Sequence, residues 1–317
     1  MFLINHLEGV TDLSKKKERK TVFIFIDTDR HVSPFDTLLT IDLFPDAKIL
    51  HYPGVKESDI SQLVSDSMFP RGPSGTKYTK IFLGGSDVET VRKVLKIIKK
   101  TMFPPFQVAV IVDPRGAYTT ASAAVAKTIS FLIDPAFHDL RGKTVTVLAG
   151  TGPVGQAAAY LYASENADVR ITSRSKERAQ AISHEINLEL GSELISGVKA
   201  NDDESFGRAI EGADIILSTG KQGIQLLCLE TLEKHGSRCK VVADVNAVPP
   251  TGIEGLKPTN KGEEIINGVK GIGALSIGSL KNKVEAELLR QVVEAKNGIF
   301  DHKAAYNIAK SLISKTE

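Results

Sequence analysis

The stretch Thr144-Val-Thr-Val-Leu-Ala-Gly-Thr-Gly-Pro-Val-Gly155 decides how this chain is expected to fold. It begins as a short apolar strand and runs directly into the glycine pattern Gly-x-Gly-x-x-Gly. A helical pattern follows over residues 157–163. A strand, a glycine turn and a helix in this order predict one βαβ unit whose turn binds a dinucleotide.

Each small residue of the turn has an expected task. Gly150 permits the tight turn, Gly152 lets the backbone approach a pyrophosphate, and Gly155 allows the helix to pack closely on the strand. A proline suits the first helical turn, where its missing N–H is no loss. The structural alternative is a glycine turn that binds nothing. The predicted cofactor residues here are Gly150, Thr151, Gly152, Pro153, Val154 and Gly155.

The end of the next strand favours NADP over NAD. An NAD site usually carries Asp or Glu about 20 residues after the glycines, where the carboxylate binds the ribose. Here the strand predicted over residues 169–172 ends in Ser173, Arg174 and Ser175. A guanidinium with neighbouring hydroxyls would bind a 2′-phosphate, which a carboxylate would repel. The alternative is that Arg174 simply faces solvent.

Similar units extend along the chain in two series. The strands of the first series are predicted over residues 22–26, 48–51, 80–83 and 107–112, with a helix over 88–99. Those of the second follow at 145–149, 169–172, 197–200, 215–218 and 241–244. Strands that alternate with helix-length segments indicate largely parallel sheets.

We therefore expect an α/β fold of two domains with a cleft between them. Residues 1–125 would form an N-terminal α/β substrate domain, and residues 126–283 a Rossmann-type NADP-binding domain. A helix over 119–133, ended by Asp134-Pro135, would join the two. Helices over 280–293 and 302–314, the first stopped by Gly298, would return so that residues 284–317 complete the N-terminal domain.

Side chains at the carboxyl ends of predicted strands are further candidates, because α/β sheets bind ligands there. Thr219, Gly220 and Asn246 follow two strands of the second series and are expected to face the cofactor. Asp27 and Asp29 follow the first strand of the chain and could accept hydrogen bonds from a substrate. Asp29 could equally begin a turn.

Composition excludes several classes of protein. The 317 residues are 42% hydrophobic, which is typical of a globular protein. Their net charge is only +2, so the chain as a whole lacks the positive charge expected of a nucleic-acid-binding protein. A basic run from Lys15 to Lys20 has no interleaved aromatics and is interpreted as a solvated lead. Two cysteines and seven scattered histidines form no metal-ligand pattern. No signal peptide or membrane span is recognisable, so we expect a soluble cytoplasmic protein without a membrane or nucleic-acid partner.

Several separated segments together resemble the NADP-dependent methylene-tetrahydromethanopterin dehydrogenases. They occur in the order expected for that family and span roughly residues 20–315. Ser175 departs from the pattern, since a second basic residue is expected after Arg174. The segments are 25–29 with 34–36, 81–87, 113–116 with 119–121, 148–155, 242–253 and 273–281.

The resemblance implies hydride transfer between a methylene-tetrahydropterin carrier and NADP, and a subunit that often forms a homotrimer. It identifies Phe35 and Lys281 as the active-site residues beside the pterin, and we add Asp113 to Asp27 and Asp29 as carrier-binding residues. Hydride loss needs no simultaneous proton transfer, so neither a catalytic triad nor a metal is expected. Lys281 would orient the carrier through a hydrogen bond, or have its pKa lowered by burial.

Other interpretations are compatible with the residues. Phe35 could be a core aromatic at a helix start, and Lys281 a surface lysine in the first turn of a helix. Methylene-tetrahydrofolate could be the carrier, since it shares the pterin and the reactive bridge. A shikimate or quinate dehydrogenase shares the two-domain layout, but it would need a Lys–Asp pair that we do not find. A regulator that binds NADPH without turnover is the non-enzymatic alternative.

Overall fold

The computed structural model of the chain describes residues 19–132 and 139–315. The lysines at 15–17 and the predicted helix stop at Asp134-Pro135 lie outside these residues. Among the described residues, no helix is both long enough and apolar enough to cross a membrane.

The described residues contain the nine predicted strands, most of them differing from the prediction by one or two residues at an end, and three further strands that were not predicted. In chain order, the strands are β1 Val22–Asp27, β2 Lys48–Tyr52, β3 Thr79–Gly84, β4 Ala109–Val112, β5 Thr144–Leu148, β6 Asp168–Ser173, β7 Ile195–Lys199, β8 Ile215–Ser218, β9 Val241–Asp244, β10 Lys261–Ile266, β11 Val269–Ile272 and β12 Gly298–Phe300.

Helices fill most of the connections between these strands. They are α1 Pro34–Leu43, α2 Glu57–Met68, α3 Val88–Thr101, α4 Ala117–Ser130, α5 Pro153–Ser164, α6 Lys176–Leu190, α7 Asp203–Ile210, α8 Leu229–His235, α9 Ala274–Glu294 and α10 His302–Ser314.

The strands form two sheets. The first has the order β12-β4-β3-β1-β2, and all of its pairs are parallel. The second has the order β10-β11-β9-β8-β5-β6-β7 and is parallel except for the β10–β11 hairpin. Chain order reverses on either side of β5, so a topological switch point lies where the glycine turn begins. Open α/β sheets bind ligands at such a point. The expected α/β fold with a Rossmann-type parallel sheet is confirmed.

The end of the chain differs from the prediction in two ways. Helix α9 begins at Ala274 rather than at residue 280, because Gly273 caps it and the sterically unhindered Gly278 is accommodated inside it. Gly298 does not stop this helix, which ends at Glu294. Gly298 instead begins β12, whose pairing with β4 adds an edge strand to the first sheet.

Helices connect the two halves of the molecule by packing against one another. Helix α4 contacts α5, α9 and α10, and buried side chains from both sheets belong to one continuous apolar cluster. An ion pair of 3.8 Å between Arg92 on α3 and Glu189 on α6 adds a polar link. The domain boundaries proposed at 125/126 and 283/284 fall within α4 and α9, so they remain a proposal.

Candidate functional site

The glycine turn is held in place by two threonines from neighbouring strands. The N–H of Ala149 donates to the hydroxyl of Thr172 at 2.8 Å, and the hydroxyl of Thr219 donates to the carbonyl of Leu148 at 3.0 Å. The residue of the turn in the left-handed region is Ala149, with φ +52°, and it directly precedes Gly150. The threonine hydroxyls explain how an alanine is kept there, since ordered hydrogen bonds offset the strain.

The three glycines differ in what surrounds them. A β-carbon on Gly150 would lie 3.0 Å from the β-carbon of Ile171, and one on Gly155 would lie 2.5 Å from the α-carbon of Gly150. These two glycines are therefore required by close packing. A β-carbon on Gly152 would meet nothing within 4 Å, although Gly152 caps α5. The space beside the free N–H groups at this helix end is open, which is what a bound phosphate requires.

The remaining residues of the turn support it. Thr151 is buried and its carbonyl accepts a 2.9 Å hydrogen bond from the side-chain amide of Gln156. Pro153 is the first residue of α5, as expected. Val154 is half-buried and packs on the main apolar cluster.

The end of β6 presents one unpaired cation. Arg174 is exposed, and within residues 19–132 and 139–315 its guanidinium has no partner. The hydroxyl of Ser175 is already used, because it caps α6 at the N–H of Arg178 and donates to Glu177. Lys199, at the end of β7, is in register with Ser173 and is exposed. It is a basic residue at the same sheet edge, although none stands directly after Arg174.

The loops after β8 and β9 are tied together. The side-chain amide of Asn246 donates to the carbonyl of Gly220 at 2.6 Å, and its backbone N–H donates to Asp244 at 3.1 Å. The other carboxylate oxygen of Asp244 accepts from the N–H of Gly252 at 2.6 Å. Burial raises the pKa of Asp244 above its ordinary value. Asn246 and Gly220 thus lie at the carboxyl edge beside the glycine turn, but Thr219 uses its hydroxyl to hold that turn.

At the carboxyl edge of the first sheet, Arg115 clamps the two aspartates that follow β1. Its Nε donates to Asp29 at 2.7 Å, its Nη2 lies 3.8 Å from Asp27, and it also donates to the carbonyl of His31. Ser86 donates to the second oxygen of Asp29 at 2.8 Å. Burial alone would raise the pKa of Asp29, but the hydrogen bonds from Arg115 and Ser86 hold it below its ordinary value.

Asp27 is almost completely buried, and burial raises the pKa of its carboxyl, against the opposing effects of the Asp29 N–H and Arg115. The N–H of Asp29 donates to Asp27 at 2.8 Å, so the chain turns tightly after β1. Asp29 therefore takes part in a turn and in an ion pair at once.

Asp113 is fully buried at the end of β4. It accepts hydrogen bonds from the N–H of Tyr118 at 2.8 Å and from the hydroxyl of Thr119 at 2.6 Å, and so fixes the start of α4. Burial raises the pKa of Asp113 to about 6. Its role in binding the carrier stays a prediction, and its burial favours an indirect one.

Phe35 and Lys281 meet although they lie near opposite ends of the chain. The Lys281 Nζ lies 3.8 Å from the centroid of the Phe35 ring, a cation–π contact. Phe35 is 50% exposed at the start of α1, so the alternative of a core aromatic is wrong. Lys281 is only 8% exposed and lies two turns into α9, so the alternative of a surface lysine in a first turn is wrong as well.

The ammonium of Lys281 is ion-paired with Glu285, one turn further along α9 and 1% exposed. On another side lies Gly116, where a β-carbon would stand 3.4 Å from the lysine Cε. Gly116 and Arg115 both have positive φ, at +71° and +51°. A single turn between β4 and α4 therefore positions Arg115 on the aspartates and leaves room for Lys281.

Helix α9 connects the carboxyl edges of the two sheets. It begins directly after β11, which is parallel to β9 and ends at the same edge of the second sheet. Lys281 follows Ala274 by seven residues, about 10 Å along a helix axis. The Lys281–Phe35 pair therefore lies close to both edges, which is the place expected for a site shared by two ligands.

Sequence reasoning did not single out four of these residues: Arg115, Glu285, Lys199 and Ser86. A signal existed for Arg115, which lies in one of the segments that resemble the family. Lys199 could have been found as the basic residue ending the strand next to β6.

Known proteins resemble this chain over most of its length. Residues 34–115 match the model of the N-terminal part of methylene-tetrahydromethanopterin dehydrogenase. The "Bifunctional protein MdtA" of Methylorubrum extorquens is 35% identical over 93% of this chain and 99% of its own length. An NAD(P)-dependent methylenetetrahydromethanopterin dehydrogenase of the same organism is 34% identical over 88% of this chain and 94% of its own.

A more distant structural likeness concerns the fold alone. The shikimate 5-dehydrogenase of Listeria monocytogenes, solved with shikimate and NAD, superposes with a TM-score of 0.52 at 15% identity. The match covers 93% of this chain and 96% of that one. Because each of the two relatives above shares more than a third of its aligned residues with this chain over most of its length, this protein belongs to the methylene-tetrahydromethanopterin dehydrogenase family.

Proposed function

We propose that this protein oxidises methylene-tetrahydromethanopterin to its methenyl form, with NADP as the hydride acceptor. The observation that carries the proposal is the contact between Lys281 and Phe35, made at the point where α9 joins the carboxyl edges of the two sheets. One edge has the features of a dinucleotide site, and the other has an exposed aromatic ring beside anchored carboxylates.

The residues present fit NADP. The open position at Gly152 and the start of α5 suit a pyrophosphate, and Arg174 with Lys199 suits a 2′-phosphate. Asn246 and Gly220, which are joined by a hydrogen bond, would contact the ribose and nicotinamide. When bound, NADP supplies a nicotinamide ring that accepts a hydride.

The carrier is proposed to bind at the first sheet. The exposed Phe35 ring would stack on the flat pterin or aryl group, since offset aromatic stacking adds to the gain from burial. Asp27 and Asp29 would accept hydrogen bonds from pterin N–H groups, because a carboxylate can accept more bonds than the protein uses here. Arg115 keeps both carboxylates oriented for this task.

Hydride transfer requires mainly that the carrier and the nicotinamide are correctly positioned. A hydride leaves the methylene carbon with both electrons of the C–H bond, and the resulting positive charge is shared by the two flanking nitrogens. No proton moves in this step, so the chain has to hold the two reacting carbons in line and exclude water. Such positioning can lower a barrier by roughly 7–11 kcal/mol at best. Lys281 would orient the carrier, held by Glu285 and Phe35.

A spectrophotometric assay tests the function. The purified protein, mixed with NADP and methylene-tetrahydromethanopterin, should form NADPH and the methenyl carrier in equal amounts. A parallel assay with methylene-tetrahydrofolate should give a lower kcat/KM. Tight NADPH binding without oxidation of either carrier would refute the proposal and indicate a regulator. A higher kcat/KM with methylene-tetrahydrofolate would show that the folate, rather than the methanopterin, is the carrier.

We also propose that the chain forms a homo-oligomer, a trimer by its resemblance to the family, in a reducing cytoplasm. Helix α1 and the edge strand β2 expose apolar side chains that an interface would cover: Leu38, Ile41, Leu50 and Tyr52. Both cysteines are free thiols. Light scattering should give about three times the chain mass of 34.2 kDa, and a monomer would contradict the trimer.

A further inference from the structure

Glu285 lies behind Lys281 in a position that its packing alone does not explain. One carboxylate oxygen accepts a hydrogen bond from the Lys281 ammonium, and the other, fully buried, has no partner among the described residues. Most buried polar atoms in proteins are hydrogen-bonded, so an orphaned carboxylate oxygen needs a reason. Replacing a buried ion pair by apolar side chains is often neutral or stabilising, so stability is a weak reason to keep this pair.

The surroundings of the pair are acidic. Asp36 on α1 and Asp113 at the end of β4 are both buried, and both interact electrostatically with Glu285. Burial raises the pKa of Glu285, the Lys281 ammonium opposes this, and the two aspartates add to it. The Lys281 ammonium thus interacts with the carboxyl groups of Glu285 and Asp113, and it also lies over the exposed Phe35 ring.

The proposed reaction changes the charge of the carrier beside this group. The methylene form is neutral at its reactive carbon and the methenyl form is a cation, because two electrons leave with the hydride. A lone ammonium near the new cation would oppose its formation, and this opposition is strong where water is excluded. The carboxylate behind Lys281 acts in the opposite direction.

We propose that Glu285 is a positioning residue: it holds the Lys281 ammonium against Phe35 and offsets its charge, so that the site accepts the cationic methenyl carrier as well as the neutral methylene carrier. This inference rests on the function proposed above. It differs from a purely structural role because it concerns the ratio of two affinities rather than the amount of folded protein.

The test compares the binding of both carrier forms without NADP or NADPH, so that no turnover occurs. Binding is measured at about pH 9, because burial raises the pKa of Glu285 to about 8. At this pH the side chain of Glu285→Gln keeps its size and loses its charge. The ratio of methenyl to methylene affinity should fall about 10-fold, as expected for one lost charge at partial screening. The matched control is Glu287→Gln on the same helix, whose carboxylate is partly exposed and lies 3.7 Å from Arg290. Its ratio should stay at the wild-type value.

A double variant separates charge compensation from structure. In Lys281→Met with Glu285→Gln the ammonium that has lost its ion-pair partner is gone as well, so the affinity ratio should return to within about 3-fold of the wild-type ratio. Glu285→Asp, which keeps the charge, should preserve the ratio while lowering kcat, and it also serves if Glu285→Gln fails to fold.

Equal losses of both affinities in Glu285→Gln, or a double variant whose ratio stays as low as that of the single variant, would overturn the inference while leaving the proposed function intact. A wild-type protein that binds neither carrier form would overturn the proposed function itself.

Discussion

The ammonium of Lys80, the second residue of the central strand β3, donates a 2.6 Å hydrogen bond to the carbonyl of Ala295, the residue that caps the end of α9. Lys80 is fully buried, and burial lowers its pKa to about 8. The carbonyls at a helix end carry partial negative charge, so this contact gives the lysine some compensation and anchors the far end of the helix that carries Lys281.

This burial predicts how stability depends on pH. The unfolded chain binds the Lys80 proton up to about pH 10.5 and the folded chain only up to about pH 8, so the free energy of unfolding should rise with pH between these values. The gain is about 3 kcal/mol over the full window, from the size of the pKa shift. Urea unfolding of wild type and Lys80→Met at several pH values measures it.

Lys80→Met removes the titrating group, so its stability should rise less over this window than that of the wild type. Lys99→Met, on the exposed side of α3, is the control and should follow the wild type. Parallel pH profiles for all three proteins would contradict the prediction.

Lys281→Met should lower kcat/KM for the carrier by at least about 10-fold, which corresponds to about 1.4 kcal/mol. The side chain keeps its length but can no longer donate a hydrogen bond to the carrier. KM for NADP should stay unchanged, because Lys281 contacts Phe35 and Glu285 rather than the glycine turn. Steady-state kinetics with each substrate varied in turn provides the measurement, with the exposed Lys283→Met as the control. Unchanged kcat and KM for the carrier would show that Lys281 does not orient the carrier.

Arg174→Ser and Lys199→Ser should each raise KM for NADP by about 10-fold, and the double variant by more, because each removes a positive charge near the 2′-phosphate. KM for NAD, which lacks this phosphate, should change little. Lys240→Ser is the matched control, since this exposed lysine precedes β9 at the opposite edge of the same sheet. Equal effects on NADP and NAD would indicate a general loss of the fold rather than of phosphate recognition.

Two glycine variants should separate binding from stability. Gly152→Ala adds a methyl group where nothing lies within 4 Å, so the melting temperature should fall only slightly, through the weaker helix cap, while the Kd for NADP rises at least about 10-fold. Gly155→Ala places its β-carbon 2.5 Å from the α-carbon of Gly150, so it should lower the free energy of unfolding by about 1–3 kcal/mol. Calorimetry and a fluorescence titration measure both quantities. An unchanged NADP affinity in Gly152→Ala would argue against a pyrophosphate at this turn.

Local signals explain which features could be predicted from the sequence. The glycine turn, Arg174 and the carboxyl-end aspartates belong to short patterns in which a residue type and its neighbours determine the geometry. The β10–β11 hairpin also had a signal, because Asn267-Gly268 is a typical two-residue turn, here with φ of +45° and +80°. The strand predictions nevertheless did not include this hairpin.

Other features depend on contacts that no local pattern encodes. The Lys281–Glu285 spacing is the one found in exposed helix pairs, and only the packing of α1 and of the turn at Gly116 buries it. The positive φ of Arg115 also has no signal in the sequence, since the left-handed backbone conformation favours glycine. The ion pair with Asp29 that this conformation allows could be found only in three dimensions.

Because α9 starts beside the nucleotide strands and carries Lys281 to the opposite half, the two halves cannot be exchanged as independent modules. A hybrid enzyme that takes its coenzyme half from another dehydrogenase would also replace β11 and the start of α9. This replacement would change the angle at which the Lys281 ammonium meets Phe35. Engineering a new coenzyme preference is therefore better done at the ends of β6 and β7, which lie away from this shared helix.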